Sequence, residues 1–266
     1  MSEDEISASE APLIEHLIEL RTRLIYCVLG FAAAFIVSFY FSKELLYALT
    51  LPFVWGTGAK ADLISTQLLG VFLVKLKIAA FGGLFIGFPL IATQIYGFVA
   101  PGLYKREKQA FVPYLIATPL FFILGAALVY FFLLPVAIHF FTVLAGTSGV
   151  ALMPDVQGYL DFVIMLILAF GLCFQLPVIL TLLGQIGVLS YQQLKSGRKF
   201  AIVGVFVVAA VLTPPDPISQ ISMAVPLMGL YEVSVQAVRF LEMRRRKREA
   251  AAEAAEAAAE AAEKDS

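Results

Sequence analysis

A chain of 266 residues that is 60% apolar and 15% charged falls outside the range of soluble domains, which are nearer half apolar and a quarter charged. The period-two alternation of a membrane barrel is absent, and a backbone in lipid must satisfy its own hydrogen bonds, so an all-α integral membrane protein is expected. The net charge of −1 conceals the useful quantity, which is where the 19 lysines and arginines fall.

Residues 1–23 are polar and acidic (Glu3, Asp4, Glu5, Glu10), the opposite of a basic leader, so the first apolar stretch is expected to stay as an anchor. Within this region residues 11–24 read as an amphipathic helix on the cytoplasmic surface. Leu13, Leu17, Leu20 and Leu24 recur at helical spacing, and Pro12 suits a first helical position.

Six apolar stretches follow, at 24–42, 71–97, 111–134, 160–186, 200–212 and 218–238. A helix rises about 1.5 Å per residue and a hydrocarbon core is about 30 Å thick, so a span needs about 20 apolar residues. The fifth stretch, FAIVGVFVVAAVL, has thirteen. The sixth meets Gln220 and Pro226 early and Glu232 late. The last two spans are therefore expected to be short and to thin the bilayer around them. Pro89, Pro119, Pro177 and Pro226 predict kinks within their spans.

Between the spans, residues 43–70 read as a polar loop with Pro52 and the only tryptophan, Trp55. Residues 98–110 form a compact loop turning at Pro101-Gly102, and 135–159 a second loop on the same side as the first. In the 213–217 hairpin, Asp216 can cap the last helix with Pro217 at its first position. After residue 243 a basic run, Arg244–Arg248, suits anionic lipid headgroups, and an Ala/Glu tract beyond it reads as a solvated or partly disordered tail. The chain thus divides into a cytoplasmic N-terminal region (1–23), a six-helix membrane domain (24–238) and a tail (239–266).

With the N-terminus in the cytoplasm and six alternating spans, fifteen of the lysines and arginines fall on the cytoplasmic side and four on the far side. The positive-inside rule then puts both termini in the cytoplasm.

No metalloprotease, serine-hydrolase or phosphate-loop motif occurs, and neither His16 nor His139 has the partners of a nucleophile or a metal. Cys27 and Cys173 fall inside spans and read as small buried hydrophobes. No enzyme activity, metal, cofactor or nucleic-acid partner is expected. The spans carry few polar groups: Gln175 in the fourth, and Gln220 and Glu232 near the ends of the sixth. That scarcity argues against a proton-coupled pump or a secondary transporter with a midplane site.

Two carboxylates near the cytoplasmic surface remain. Glu19 lies on the amphipathic helix, and Glu107 follows the Pro-Gly turn. Brought together, they could accept the forked donors of two guanidinium groups, which lysine cannot reproduce. Each also has a plainer reading: Glu19 is four residues from Arg23, and Glu107 is flanked by Arg106 and Lys108.

HLIELRTRL (16–24), FVAPGLYKREK (98–108) and LTPPDPISQ (212–220), in this order and at the ends of six spans, resemble the TatC family, the multispanning subunit of the twin-arginine protein translocase. The resemblance covers residues 13 to about 240 and omits the tail. It implies a cupped six-helix fold in the cell inner membrane that receives folded cargo through twin-arginine signal peptides. It implies single-span TatA-like and TatB-like partners, assembly in several copies, and the proton-motive force as the energy source. Carried onto this chain, signal-peptide recognition falls to Glu19 and Glu107, with Arg21, Phe98, Pro101, Gly102 and Tyr104 around them. Pro52, Gln175, Asp216 and Gln220 become structural or partner contacts. One departure stands out: the family often has glutamate where FQLP (174–177) has Gln175, so any role there rests on hydrogen bonding and not on charge.

Overall fold

The computed structural model describes residues 3–58, 63–99, 108–147, 154–212 and 217–264, and every regular element among them is helical. The chain separates into two compact units, Met1–Phe170 and Gly171–Ser266.

In the first unit, α1 (Glu3–Tyr40) runs without a break, so the expected surface helix and the first span are one helix. It packs along α3 (Gly70–Val99) through a seam of small residues. A Cβ on Gly83 would lie 3.0 Å from the backbone of Phe35, and one on Gly82 would lie 2.6 Å from Ser38 Oγ. Lipid offers no hydrophobic drive between helices, so close backbone approach of this kind supplies the contact. The remaining faces of α1 expose Leu24, Leu29 and Ile36.

The expected loop at 43–70 is largely a helix, α2 (Ser42–Thr57). Its Leu49, Pro52 and Phe53 are buried, and Gly56 lets α2 lie directly on Pro135 and Ile138. Pro52 has no N–H to give to the carbonyl of Ala48, four residues back. The hydroxyl of Tyr130 donates to that carbonyl at 2.5 Å. One residue on, Tyr159 donates to Leu49 O at 2.8 Å and meets the Phe53 ring edge-on. Trp55 stacks on Phe131.

The third apolar stretch also extends past its expected end. Helix α4 (Lys108–Leu128) passes through Pro113 and Pro119 into a π turn, Val129–Leu133, and on into α5 (Leu134–Thr147). In a regular helix the ring of Pro135 would press on the carbonyl of Phe131. In the wider turn Leu134 N reaches back to Val129 O, and the helix continues where a loop had been expected.

Helix α6 (Val156–Cys173) starts from a short parallel bridge between Ile64 and Asp155. The Asp155 carboxylate accepts from Thr66 N and Thr66 Oγ1, and from Gln157 N and Gly158 N at the helix start. These bonds, led by the one from Thr66 N, hold its pKa below the ordinary 3.8.

In the second unit, α7 (Leu176–Gln185) ends in a turn at Gly187, whose φ of +79° suits glycine. Ser190 and Gln193 then cap α8 (Tyr191–Leu212) reciprocally: Gln193 N donates to Ser190 Oγ, and Ser190 N to Gln193 Oε1. Helix α9 (Pro217–Lys264) runs through Pro226 and through the alanine-rich tail, where disorder had been one expectation. Alanine, glutamate and arginine are strong helix formers, and their propensity carries the element onward. Leu194 of α8 with Val235 and Val238 of α9 forms the core, and Leu180 of α7 packs against it.

Among the described residues five helical stretches are long and apolar enough to cross a membrane: Leu17–Tyr40, Gly70–Phe98, Pro113–Thr147, Val156–Gln185 and Gln220–Arg248. The last reaches 29 residues because α9 runs on past its apolar part into Arg244–Arg248. The helix continues through Pro226 and Glu232, where the apolar run by itself is interrupted. Helix α8 is the exception, because Lys195, Arg198 and Lys199 occupy its first half.

Replacing Tyr130 with Phe leaves the Ala48 carbonyl without its donor and should lower stability by about 1–3 kcal/mol in detergent melts. In the Pro52→Ala background the restored amide takes over that carbonyl, and the same change should cost less than half as much. For Asp155→Asn the sign follows from the lowered pKa: the wild type's extra stability is complete above the ordinary carboxylate range and is lost as pH falls through the lowered value. The Tm difference between the Asp155→Asn variant and the wild type should accordingly close in acid and stay constant near neutrality.

Candidate functional site

At the N-terminal half of α1, Glu19 faces Arg23 one turn on. The guanidinium gives two bonds to a single oxygen, Nε to Oε1 at 2.9 Å and Nη2 to Oε1 at 2.6 Å. Its remaining arm, Nη1, approaches the carbonyl of Gln94 on α3 at 3.5 Å. Gly97 makes this possible, since a Cβ there would lie 2.0 Å from Nη1. The sequence therefore places a guanidinium in a notch on α3 and a carboxylate against that guanidinium. Nearby carbonyls carry the negative end of the α3 dipole, which favours the cation.

The side chains of Arg23 and Glu19 are 26% and 32% exposed. A pair that open to solvent is worth under about 1 kcal/mol. Its consequence is positional: it fixes the Glu19 carboxylate beside the C-terminal end of α3.

Among the residues singled out from sequence, Phe98 is half-buried in the last turn of α3, next to Gly97, and Arg21 is exposed on α1. Pro101, Gly102, Tyr104, Glu107 and Asp216 lie outside the described residues. Pro52 is buried in α2, as part of the Ala48–Tyr130 arrangement. Gln220 donates Nε2 to Phe206 O at 3.3 Å and so ties α9 to α8. Gln175 is buried in the two-residue break between α6 and α7. Its N–H bonds Leu172 O, its carbonyl accepts Ile179 N, and its Nε2 donates to Gly171 O at 3.4 Å. Pro177, at the start of α7, explains why the fourth stretch breaks here instead of bending.

Several polar residues were not singled out from the sequence. Arg23 was read only as a helix-surface partner of Glu19, and its seat on Gly97 involves residues more than seventy positions away. Lys77 of α3 holds both oxygens of Asp161 on α6, at 2.6 and 2.8 Å. Arg198 of α8 bonds Glu232 of α9 at 2.6 Å. Charge within a span was the available signal for Lys77, Asp161 and Glu232, the last already noted from the sequence, whereas Arg23 and Arg198 lie just outside the apolar stretches. Among the described residues no cluster of His, Cys, Asp or Glu is placed to hold a metal ion.

Comparison with known proteins bears on this arrangement directly. Residues 15–226 match the family described as Sec-independent protein translocase protein (TatC). A relative of that name from Magnetococcus marinus is 43% identical over 245 residues, covering 92% of this chain and 90% of its own length. One from Escherichia coli is 37% identical, covering 90% of this chain and 92% of its own. The crystal structure of a twin-arginine translocase receptor, TatC, superposes with a TM-score of 0.76 at 36% identity, covering 85% of this chain and 99% of that one. With a matching family description over most of its length, and helices of membrane-crossing length on either side of its candidate site, the chain belongs to the TatC family: it is a multi-pass subunit of the Sec-independent protein translocase, a component of protein transport and not an enzyme.

Proposed function

We propose that this chain is the receptor at which twin-arginine signal peptides of folded cargo engage the translocase in the cell inner membrane. Glu19 and Glu107 accept the two guanidinium groups, and Arg21, Phe98, Pro101, Gly102 and Tyr104 shape the surroundings. The observation that carries this reading is the guanidinium already held on Glu19. Arg23 donates to that carboxylate from two nitrogens, which supports Glu19 as a seat for the forked donors of arginine. A leader arginine would meet the same chemistry. Glu107 belongs to the segment between α3, which ends at Val99, and α4, which begins at Lys108, so it leaves from the same end of α3 that Arg23 grips.

Both termini are cytoplasmic in this reading, by the fifteen-to-four bias of basic residues, and α8 supplies the crossing that brings the number to six. Its apolar part is thirteen residues, about 20 Å long, against a hydrocarbon core of about 30 Å. The bilayer beside it must thin, which lowers the barrier to a folded passenger. TatA-like and TatB-like single-span subunits complete the passage in several copies, driven by the proton-motive force. Gln175, buried at a helix break, serves as a structural contact, while Gln220, bridging α8 and α9, and Asp216 in the hairpin between them serve as structural or partner contacts. Arg244–Arg248 hold anionic headgroups.

A photocrosslinking peptide bearing two arginines should label the wild type and lose labelling about tenfold in each of Glu19→Ala and Glu107→Ala, as expected for one lost charge-assisted pair. Wild-type labelling in both variants, or equal labelling by a twin-lysine peptide, would remove the assignment. Inserting five leucines into α8 after Val207 lengthens it by about 7.5 Å and should reduce export while leaving peptide labelling intact. Undiminished export would separate α8's length from function.

A further inference from the structure

Between α8 and α9 lies a groove of about 220 Å³ that signal recognition does not use. Its lining is almost wholly apolar, with Ala201, Ile202, Val205 and Met228 along it and the side chains of Arg198, Tyr231 and Glu232 beside them. The polar end has a specific chemistry. Arg198 gives Nη2 to Glu232 Oε1 at 2.6 Å, while its Nε is buried with no hydrogen-bond acceptor among the described residues. Glu232 is additionally held by Gln236 Nε2 at 2.8 Å, and Tyr231 donates its hydroxyl to Leu194 O. Neither leaves to serve Arg198 Nε. A buried donor without an acceptor is unfavourable and invites one from outside. Lys195 and Lys199 are exposed on the same turns of α8, so this end of the helix carries three cations.

We infer that the groove seats one phospholipid, its phosphate accepting from the partly exposed Arg198 guanidinium and an acyl chain lying along Ala201, Ile202, Val205 and Met228. The charge excess selects a phosphate, and the apolar floor below it selects a lipid over a free anion. The seat has a mechanical consequence. Arg198 is fourteen residues from the end of α8 at Leu212, about 21 Å along the helix, against about 30 Å for an ordinary hydrocarbon core. A headgroup held at Arg198 is drawn below its usual depth, and the leaflet around α8 is thinned by a bound lipid and not by mismatch alone. The seat itself is independent of how leader peptides are recognised.

The test is native mass spectrometry of the full chain, purified in detergent, stripped of lipid and titrated with dioleoylphosphatidylglycerol. In a parallel titration inorganic phosphate replaces the lipid. The wild type should retain one lipid per chain. Arg198→Gln, which removes the donor, and Ala201→Phe, which fills the floor and spares the ion pair, should each weaken retention about tenfold. A variant with glutamine throughout 244–248 should keep the retained lipid, separating this seat from the basic run. Equal retention in both groove variants would overturn the inference, as would inorganic phosphate binding as tightly as lipid. So would absence of a retained lipid while a single-span partner crosslinks to Ile202, which would give the groove to a protein helix.

Discussion

In hydrocarbon no water is available to a backbone amide or carbonyl, so each break in helical hydrogen bonding must be mended by the protein itself. This chain has thirteen prolines, several of them inside helices. The mending differs from site to site. At Pro52 the hydroxyl of Tyr130 reaches the orphaned Ala48 carbonyl. Before Pro135 the ladder widens into a π turn. At Pro177 the helix stops and restarts, and Gln175 supplies both the last bond of one turn and the first of the next. These repairs fix where α2 lies on α5 and where α6 gives way to α7, and through them the placement of other polar side chains.

The same scarcity of water governs the charges. Lys77 with Asp161, and Arg198 with Glu232, are cross-helix pairs within or beside the apolar segments. An isolated charge at such depth is costly, and pairing is the ordinary remedy. Arg23 and Glu19 differ in being joined on one helix, with the arginine anchored on the next. A pair so arranged adds little to stability, yet it defines where a carboxylate stands at the end of α3. Under the proposed function, recognition of a guanidinium-bearing leader and attachment of α1 to α3 would draw on one interaction, linking the receptor role to the packing of the first unit.

Helix α8 connects the membrane to the transport role. Its first half is basic and its second half too brief to cross an ordinary bilayer. Its neighbour α9 is long and passes well beyond the apolar zone. Two adjacent helices of such unequal apolar length cannot both match one bilayer thickness, so the lipid around them must adjust. A basic end that retains a headgroup and a polar Gln220 bridge at the other end frame that adjustment.

Composition alone determined that the chain is helical and lies in a membrane, because length and apolarity are properties of consecutive residues. Three local motifs carried the family, and the Glu19–Arg23 spacing already contained the ion pair. Helix ends were less legible: 43–57 looked like a loop for its polar residues and 135–147 because Pro135 opens it, yet both are helices, packed on each other where Gly56 meets Pro135 and Ile138. What only tertiary structure decided are the relations between distant residues. Gly97 as the notch for Arg23, Tyr130 as the donor for Ala48, and Glu232 as the partner of Arg198 depend on which helices pack side by side. No local pattern encodes that, since a missing Cβ or a proline's lost N–H acquires its meaning only from the group that folding brings against it.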